Sequence, residues 1–548
     1  MEENNMKKLT KTLLLTAALS AGLSMQAMAA NVQATLPSFP VTLNGTVIDN
    51  SCRQYPLLVY NNITYFPMTY YDCRFLGVET EWTQANGLKI EKSNLTGAYH
   101  QQNVQQKNGG KVTAQIAAGK IAVNGKVIAN SKEQYPLLVY RDVTYFPLTW
   151  RFAVDEFGWK YSYDNKNGLV IDAGNVKTSS VTLRDGRKST YEDKSDIFDF
   201  AIDKQYLYYE GEQGAVYRRP LAALSDDKQM GAIPYEDFYI TGYPLAEITE
   251  MGGTVYYRYH TGGASTGGDC LYRVEGGTVS KDLIQRSYDQ FVDLGDFCIQ
   301  IDGSMVGGTP AVPMTYLGKN GTTKAVGATG YCYGVNSSGY DKQRNRLYVT
   351  AYQKNADTGN AGKSYLYGVD LTKNATEKLS EKVVSNYQAA GDCIYYLSYT
   401  KADGTNDVNY SQRYLYRLDL TTQKEQYLGL VGSSDKTLST LYATTQNGVY
   451  YRSQENGNLL FWNQQTSKKE TINAGFQVNQ LYSQNGYVIA HFAETDKNPY
   501  RLMVFAPSGQ NMKQIYATAD CSDKAVVNAD GLLVYRLEDT NQLVQVQL

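Results

Sequence analysis

Histidine is nearly absent. His100, His260 and His491 are the three in 548 residues. They stand far apart and no two share a ligand spacing, so no imidazole-built metal centre is expected. An excess of one charge is missing too: 52 Lys and Arg face 54 Asp and Glu, a net of −2. That balance leaves no electrostatic footprint for nucleic acid or an anionic membrane. Past the first 30 residues, no stretch approaches the roughly 18–20 apolar residues needed to span a bilayer. No Gly-x-Ser-x-Gly elbow, zinc-ligand spacing or phosphate-binding glycine loop appears. Paired carboxylates are too common among 54 acids to single any out. No cofactor and no catalytic residue are expected.

The first 30 residues differ from the rest. Lys7, Lys8 and Lys11 precede the apolar run LLLTAALSAGL and then AMAA. That is the pattern of a secretory signal peptide over 1–29, cut after Ala29 or Ala30, with Met6 an alternative start. Removing 1–29 leaves 49 basic against 52 acidic residues, a net of −3. No cysteine follows for lipid attachment, and NQLVQVQL at the other end carries no hydrophobic tail. The expectation is an exported protein, extracellular or envelope-associated, without a transmembrane anchor. Its seven cysteines are odd in number, so at least one is free or pairs with another chain. Cys270, Cys298 and Cys393 lie in or beside strands, where buried small hydrophobes are the default. The pairing of these three, and of Cys332 and Cys521, is left open.

What is abundant is tyrosine and glycine, 48 of each. Tyrosine suits a pleated surface that is apolar at its base and wet at its tip, so many strands and turns are expected. Two long sentences nearly repeat. YPLLVYNNITYFPMTY covers 55–70 and YPLLVYRDVTYFPLTW covers 135–150. The match starts at VTLNGTVI (41–48) and IAVNGKVI (121–128). The second copy then gains one residue, so FLGVETEW (75–82) meets EFGWKYSY (156–163). Asn-Gly predicts one hairpin; Asn61-Asn62 and Arg141-Asp142 predict another. Pro67 and Pro147 stop a strand and open a short helix, which Gly77 and Gly158 close. Each copy reads as a small α+β module, over 40–92 and 120–172, with 93–119 as the linker.

This order of V-N-G, hairpin, Y-F-P-L-T, helix, glycine and N-G-L resembles the copper amine oxidase N-terminal-like domain of bacterial exported proteins. The resemblance covers about 40–172 and implies a non-catalytic envelope module, without copper. Phe66-Pro67-Met68-Thr69 and Phe146-Pro147-Leu148-Thr149 depart from the family's Val-Pro-Leu-Arg type of turn. The oxidase itself needs a tyrosine within Asn-Tyr-Asp/Glu. Asn386-Tyr387-Gln388 and Asn409-Tyr410-Ser411 lack the acid, and there is no His-x-His. Cys52 and Cys73 are both present in one copy and both replaced in the other. That pattern predicts a Cys52–Cys73 disulfide, which would contribute roughly 3 kcal/mol in an exported protein.

After a linker or closing strand over 173–198, a different repeat fills 199–548. Apolar-aromatic strands start near 206, 255, 297, 347, 394, 449, 487 and 532, and each is followed by a second strand such as YLYGVDL or YLYRLDL. Weaker strands flank each pair. Four short strands per unit predict a β-propeller of eight blades, or seven if one unit is misread. Residues 179–190 could supply the strand that closes the ring. The strand pairs resemble the Tyr-Trp-Thr-Asp propellers of low-density lipoprotein receptors, and a related bacterial exported propeller. Tyr348-Val349-Thr350-Ala351 lacks the Trp and Asp. The resemblance implies architecture and no active site.

Three long loops, 259–269, 353–363 and 400–413, fall between equivalent strands and would share one face. Tyr259, His260, Asp269, Lys354, Asp357, Asp403 and Asp407 are the candidate binding residues there. Ala402–Asp407 could ligate calcium through oxygens, though a plain loop fits as well. Ser453–Gly457 is similar to a sialidase Asp-box turn with Glu for Asp; a structural turn explains it. The expected fold is mainly β, small tandem α+β modules followed by a propeller. The expected function is envelope binding or scaffolding, with a cell-wall glycan or another exported protein as partner. The alternative is a propeller glycosidase or lyase with an unidentified carboxylate site.

Overall fold

The computed structural model describes residues 30–93, 95–99, 101–174, 178–183, 187–188, 196–197, 199–211, 215–222, 227–232, 246–261, 268–275, 278–286, 290–301, 313–353, 363–407, 412–432, 441–473, 477–493, 501–506, 514–518, 521–537 and 542–548. The predicted signal segment 1–29 lies outside the described residues. No helix among the described residues is long and apolar enough to cross a membrane. The chain divides into two bodies. One holds residues up to 180 with the short pieces 516–520 and 544–548; the other holds 181–515 and 521–543.

In the first body each copy contributes the same elements. Copy 1 supplies β1 (Asn31–Thr35), β2 (Val41–Leu43), β3 (Thr46–Val47), β4 (Leu58–Tyr60), β5 (Ile63–Pro67), α1 (Tyr70–Phe75), β6 (Val78–Thr83) and β7 (Gly87–Lys92). Copy 2 supplies β8 (Lys111–Ile116), β9 (Ile121–Val123), β10 (Lys126–Ile128), β11 (Leu138–Tyr140), β12 (Val143–Pro147), a π-helical turn (Arg151–Glu156), β13 (Lys160–Asp164) and β14 (Gly168–Asp172). The predicted hairpins form. Asn44-Gly45, Asn61-Asn62, Asn124-Gly125 and Arg141-Asp142 all adopt positive φ, as mirror-image two-residue turns require. Gly77 and Gly158, at φ 67° and 70°, end the two helical segments.

The copies are not separate modules. A six-stranded closed barrel runs β1-β4-β5-β12-β11-β8, three strands from each copy. Phe66 faces Phe146 across β5 and β12, and Gln33 faces Thr113 across β1 and β8. Each residue therefore meets its own counterpart 80 positions away, which puts a dyad through both pairs. Beside the barrel, hairpins are traded. β7 of copy 1 runs parallel to β9 of copy 2, and β14 of copy 2 runs parallel to β2 of copy 1. The stretch read as a linker contains β8, whose KVTAQI stands opposite NVQAT of β1.

The asparagines of the V-N-G turns lock this exchange. Asn44 Oδ1 accepts from Ala173 N of copy 2 at 2.7 Å, while its Nδ2 donates to Phe75 O at 2.6 Å. Asn124 mirrors it, accepting from Lys92 N of copy 1 at 2.9 Å and donating to Glu156 O at 2.9 Å. The extra residue of copy 2 is absorbed in the helix. α1 is capped by Thr69, whose hydroxyl accepts from Asp72 N, but its counterpart widens to a π-helical turn in which Phe157 N donates to Phe152 O. A π-bulge is the ordinary way for a helix to take up one residue.

From residue 178 onward the chain repeats one four-stranded antiparallel meander. Sheet 1 spans Phe200–Ile202 to Lys228–Ala232, sheet 2 Ala246–Met251 to Thr278–Arg286, and sheet 3 Gln290–Asp293 to Thr323–Val326. Sheet 4 spans Tyr331–Gly334 to Ala375–Lys378, with one extra short strand. Sheet 5 spans Val384–Ala390 to Glu425–Val431, sheet 6 Tyr442–Thr445 to Lys468–Asn473, and sheet 7 Val478–Gln484 to Gln514–Thr518. Sheet 8 runs from Cys521–Val527 through Leu532–Leu537 to Gln542–Gln547, and Thr178–Thr182 is its fourth strand. First strands touch between sheets 1 and 2, 5 and 6, and 6 and 7, and that of sheet 8 touches that of sheet 1, so the sheets ring an axis: a β-propeller.

Tyrosine fills the space between sheets. Tyr395 and Tyr396 on the second strand of sheet 5 are fully buried and point to opposite faces. Tyr395 hydroxyl reaches Gln464 of sheet 6 at 3.1 Å, and Tyr396 hydroxyl reaches Glu425 within its own sheet. A strand buried on both faces needs bulk, and tyrosine adds a polar tip that can find a partner. The outer hairpins share another device. Asp370, Asp419 and Asn463 each accept two backbone N–H groups from the following turn, and Asn374, Gln423 and Ser467 take the left-handed position.

Candidate functional site in the propeller axis

The first strands of sheets 1, 2, 7 and 8 enclose a cavity of about 380 Å³. Phe200, Ala201 and Ile202 come from sheet 1, and Ile248, Thr249 and Glu250 from sheet 2. Gln480, Tyr482, Ser483 and Gln484 come from sheet 7, and Lys524, Ala525 and Val526 from sheet 8. Alternation along each strand sends successive side chains to opposite faces of its sheet.

One ion pair holds the wall together. Lys524 Nζ donates to Asp199 Oδ1 and, at 3.2 Å, to Ile248 O. Asp199 also accepts from Phe200 N at 2.9 Å and from Ile248 N at 2.7 Å. Lysine and aspartate thus tie sheets 8, 1 and 2 where the ring closes. Glu250 is the carboxyl among the lining residues. Its Oε1 accepts from Gly253 N at 2.6 Å. Burial holds its carboxyl above the ordinary range, and the negative charges of Asp293 and Asp203 push the same way. The amides of Gln480 and Gln484 and the hydroxyls of Thr249 and Ser483 complete a mostly polar lining. Such a site can hold hydrogen-bonding groups of a ligand. Asp199 is committed to the fold, so Glu250 is the carboxyl placed to meet an occupant.

The residues singled out from sequence fall elsewhere. Tyr259, His260 and Asp269 lie at the ends of the second and third strands of sheet 2, where His260 pairs with Asp269 across the ladder. Lys354 and Asp357 lie outside the described residues. Asp403 is exposed, and its Oδ1 accepts from the Thr405 amide and hydroxyl, which holds its carboxyl below the usual range. Asp407 is buried and accepts from Gln412 N at 2.9 Å. Two oxygens a calcium ion would use are thus engaged within the loop. No group of three or more His, Cys, Asp or Glu able to hold a metal occurs among the described residues. Ser453–Gly457 is a closed turn, with Gly457 N donating to Ser453 O at 3.0 Å. His491 is fully buried beside Tyr482, whose hydroxyl donates to Ala525 O at 2.7 Å.

Cys52 and Cys73 do not form the expected disulfide; neither is bonded to the other. Cys73 is buried with Sγ 3.9 Å from Met68 Sδ. The tie between loop and helix exists one residue along, as a buried ion pair of Arg53 and Asp72. Copy 2 makes the same tie with the signs reversed, Glu133 to Arg151 at 2.6 Å. The cysteine pattern pointed to the right two elements and the wrong bond.

Asp199, Glu250 and Lys524 were missed from sequence because they sit on or just before the weakest strands of each repeat. The available signal was position: the strand just before each apolar-aromatic one faces the axis.

No family model matches the chain, and no curated protein matches it. Solved structures resemble it at low identity. BamB from Moraxella catarrhalis is 13% identical with a TM-score of 0.38, covering 68% of this chain and 96% of its own. The β-propeller domain of the Trilobed protease from Pyrococcus furiosus is 10% identical with a TM-score of 0.37, covering 55% of this chain and 95% of its own. An oligogalacturonate lyase in complex with manganese is 10% identical with a TM-score of 0.36, covering 68% and 98%.

Proposed function

We propose that the chain is an exported, non-catalytic binding or scaffold protein of the cell envelope, whose propeller recognises a protein or glycan. The observation that supports this reading is the axial cavity: polar, walled by four sheets, with its lysine tied to Asp199 at ring closure. In this reading the two-copy body is an envelope module of the kind resembled by residues 40–172. The test uses the chain from residue 30 onward on purified cell walls, soluble wall glycans and envelope extracts. A Gln480→Trp variant fills the cavity while the chain stays folded. A ligand held by the parent and released by the variant supports the reading. Retention that is equal in both places recognition elsewhere.

A second reading is an envelope glycosidase or lyase, and Glu250 favours it. A carboxyl pushed above its ordinary range by burial is the kind of group a general acid requires. New reducing ends or unsaturated sugars from a glycan substrate, lost in Glu250→Gln, would replace the binding reading with this one.

A further inference from the structure

We infer that each copy in the first body is half of a fold whose natural partner is another copy, and that two molecules of this chain can pair by exchanging halves. Four ladders join the copies: β1 to β8, β5 to β12, β7 to β9 and β14 to β2. Cut along the copy boundary, each half would leave a three-stranded piece of barrel and an unpaired hairpin on either side. Those open edges fit only a complementary half. Because the dyad pairs Phe66 with Phe146 and Gln33 with Thr113, the half does not need to come from its own chain. Copy 1 of one molecule and copy 2 of another make identical contacts, which is the condition for exchange at low cost.

The covalent link between halves is built for this. Its segment 101–108 stays with copy 1: Gln54 N donates to Gln102 O, Val104 N to Cys52 O, and Asn108 N to Ser51 O, each at 2.8 Å. Asn108 Nδ2 adds bonds to Asn50 O at 2.9 Å and Arg53 O at 2.7 Å. Gly109 and Gly110 follow, directly before β8. Both are exposed, and neither has an atom close enough to hinder a side chain. Two glycines between a packed segment and a strand form a hinge; opening it breaks the bond from Leu36 N to Gly110 O at 3.3 Å, which an exchanged half remakes.

The experiment uses the full chain in a Cys52→Ser background, since Cys52 is the cysteine that is not buried. Gln33→Cys and Thr113→Cys variants are unfolded together in urea with reductant and refolded at high concentration. Oxidised glutathione is then added as the oxidant. Light scattering is expected to show a dimer that persists on dilution. A non-reducing gel is expected to show a covalent dimer that carries one of each variant. Refolding to monomer alone overturns the inference. So does a dimer without the Gln33→Cys to Thr113→Cys link, given that a chain with both substitutions closes the link internally.

Discussion

The two bodies both repeat themselves, but they join their repeats with different bonds. In the first, backbone ladders cross the copy boundary, and the two copies complete each other's sheets. In the propeller every ladder among the described residues stays within the local repeat except the last, and neighbours meet through side chains and single backbone bonds such as Gly432 N to Arg452 O at 2.9 Å. Tyr387 hydroxyl donates to Tyr348 O at 2.6 Å, and Gln388 Nε2 to Tyr442 O at 3.2 Å. A backbone ladder is indifferent to sequence once the register is set, so the first body tolerates Glu133 and Arg151 where copy 1 has Arg53 and its neighbours. Side-chain joints depend on particular residues, which is why tyrosine recurs in sheet after sheet.

The comparison breaks first at the dyad. Phe146→Ala removes a buried ring that contacts Phe152 and Phe157, at a cost of about 3–5 kcal/mol. Hydrogen exchange is expected to show protection lost in both copies together, with the propeller unchanged. Copy 1 keeping its protection would mean that the copies are independent after all.

Glu425→Gln tests the other side. Glu425 accepts from Ser380, Lys382 and Tyr396, and these bonds hold its carboxyl below the ordinary 4.5 against the opposing effect of burial. The substitution is expected to cost about 1–3 kcal/mol, confined to sheet 5 and its neighbours. A depressed carboxyl in the folded state stabilises above 4.5, and that contribution is lost as pH falls below 4.5 through the folded value. Urea titrations between pH 3 and 7 are expected to show a shallower acid slope in the variant. An unfolding that spreads through the whole ring would show that side-chain joints couple as tightly as ladders.

The smallest effect is expected from deleting Asp155, which is exposed in the π-helical turn. The turn should tighten to the α form of copy 1, with a change of under about 1 kcal/mol in urea unfolding. A larger loss would mean that the insertion carries contacts of its own.

Much of the local structure was legible in the sequence. Asn-Gly, Asn61-Asn62, Arg141-Asp142 and the helix-ending glycines state their turns outright, because few residues accept positive φ. The repeated apolar-aromatic strands announced the propeller. The exchange of hairpins was not legible. A hairpin's alternation of apolar and polar residues reads the same whether its edge meets its own copy or the other. β1 and β8 escaped for a related reason: in register NVQAT and KVTAQI match only at Val32/Val112 and Ala34/Ala114, and their common place before each V-N-G turn is the stronger link. The axial residues escaped because they carry little hydrophobicity. The disulfide failed because paired gain and loss of two residues indicates shared elements, and an ion pair between neighbours satisfies that equally well.

Thr178–Thr182 leads the propeller in sequence yet completes its last sheet. The strand made first must therefore wait for Gln542–Gln547, made last. Until then two sheet edges stay open, and a prematurely terminated chain keeps them open for good. Closure of the ring therefore depends on the last strand of the chain as much as on the first.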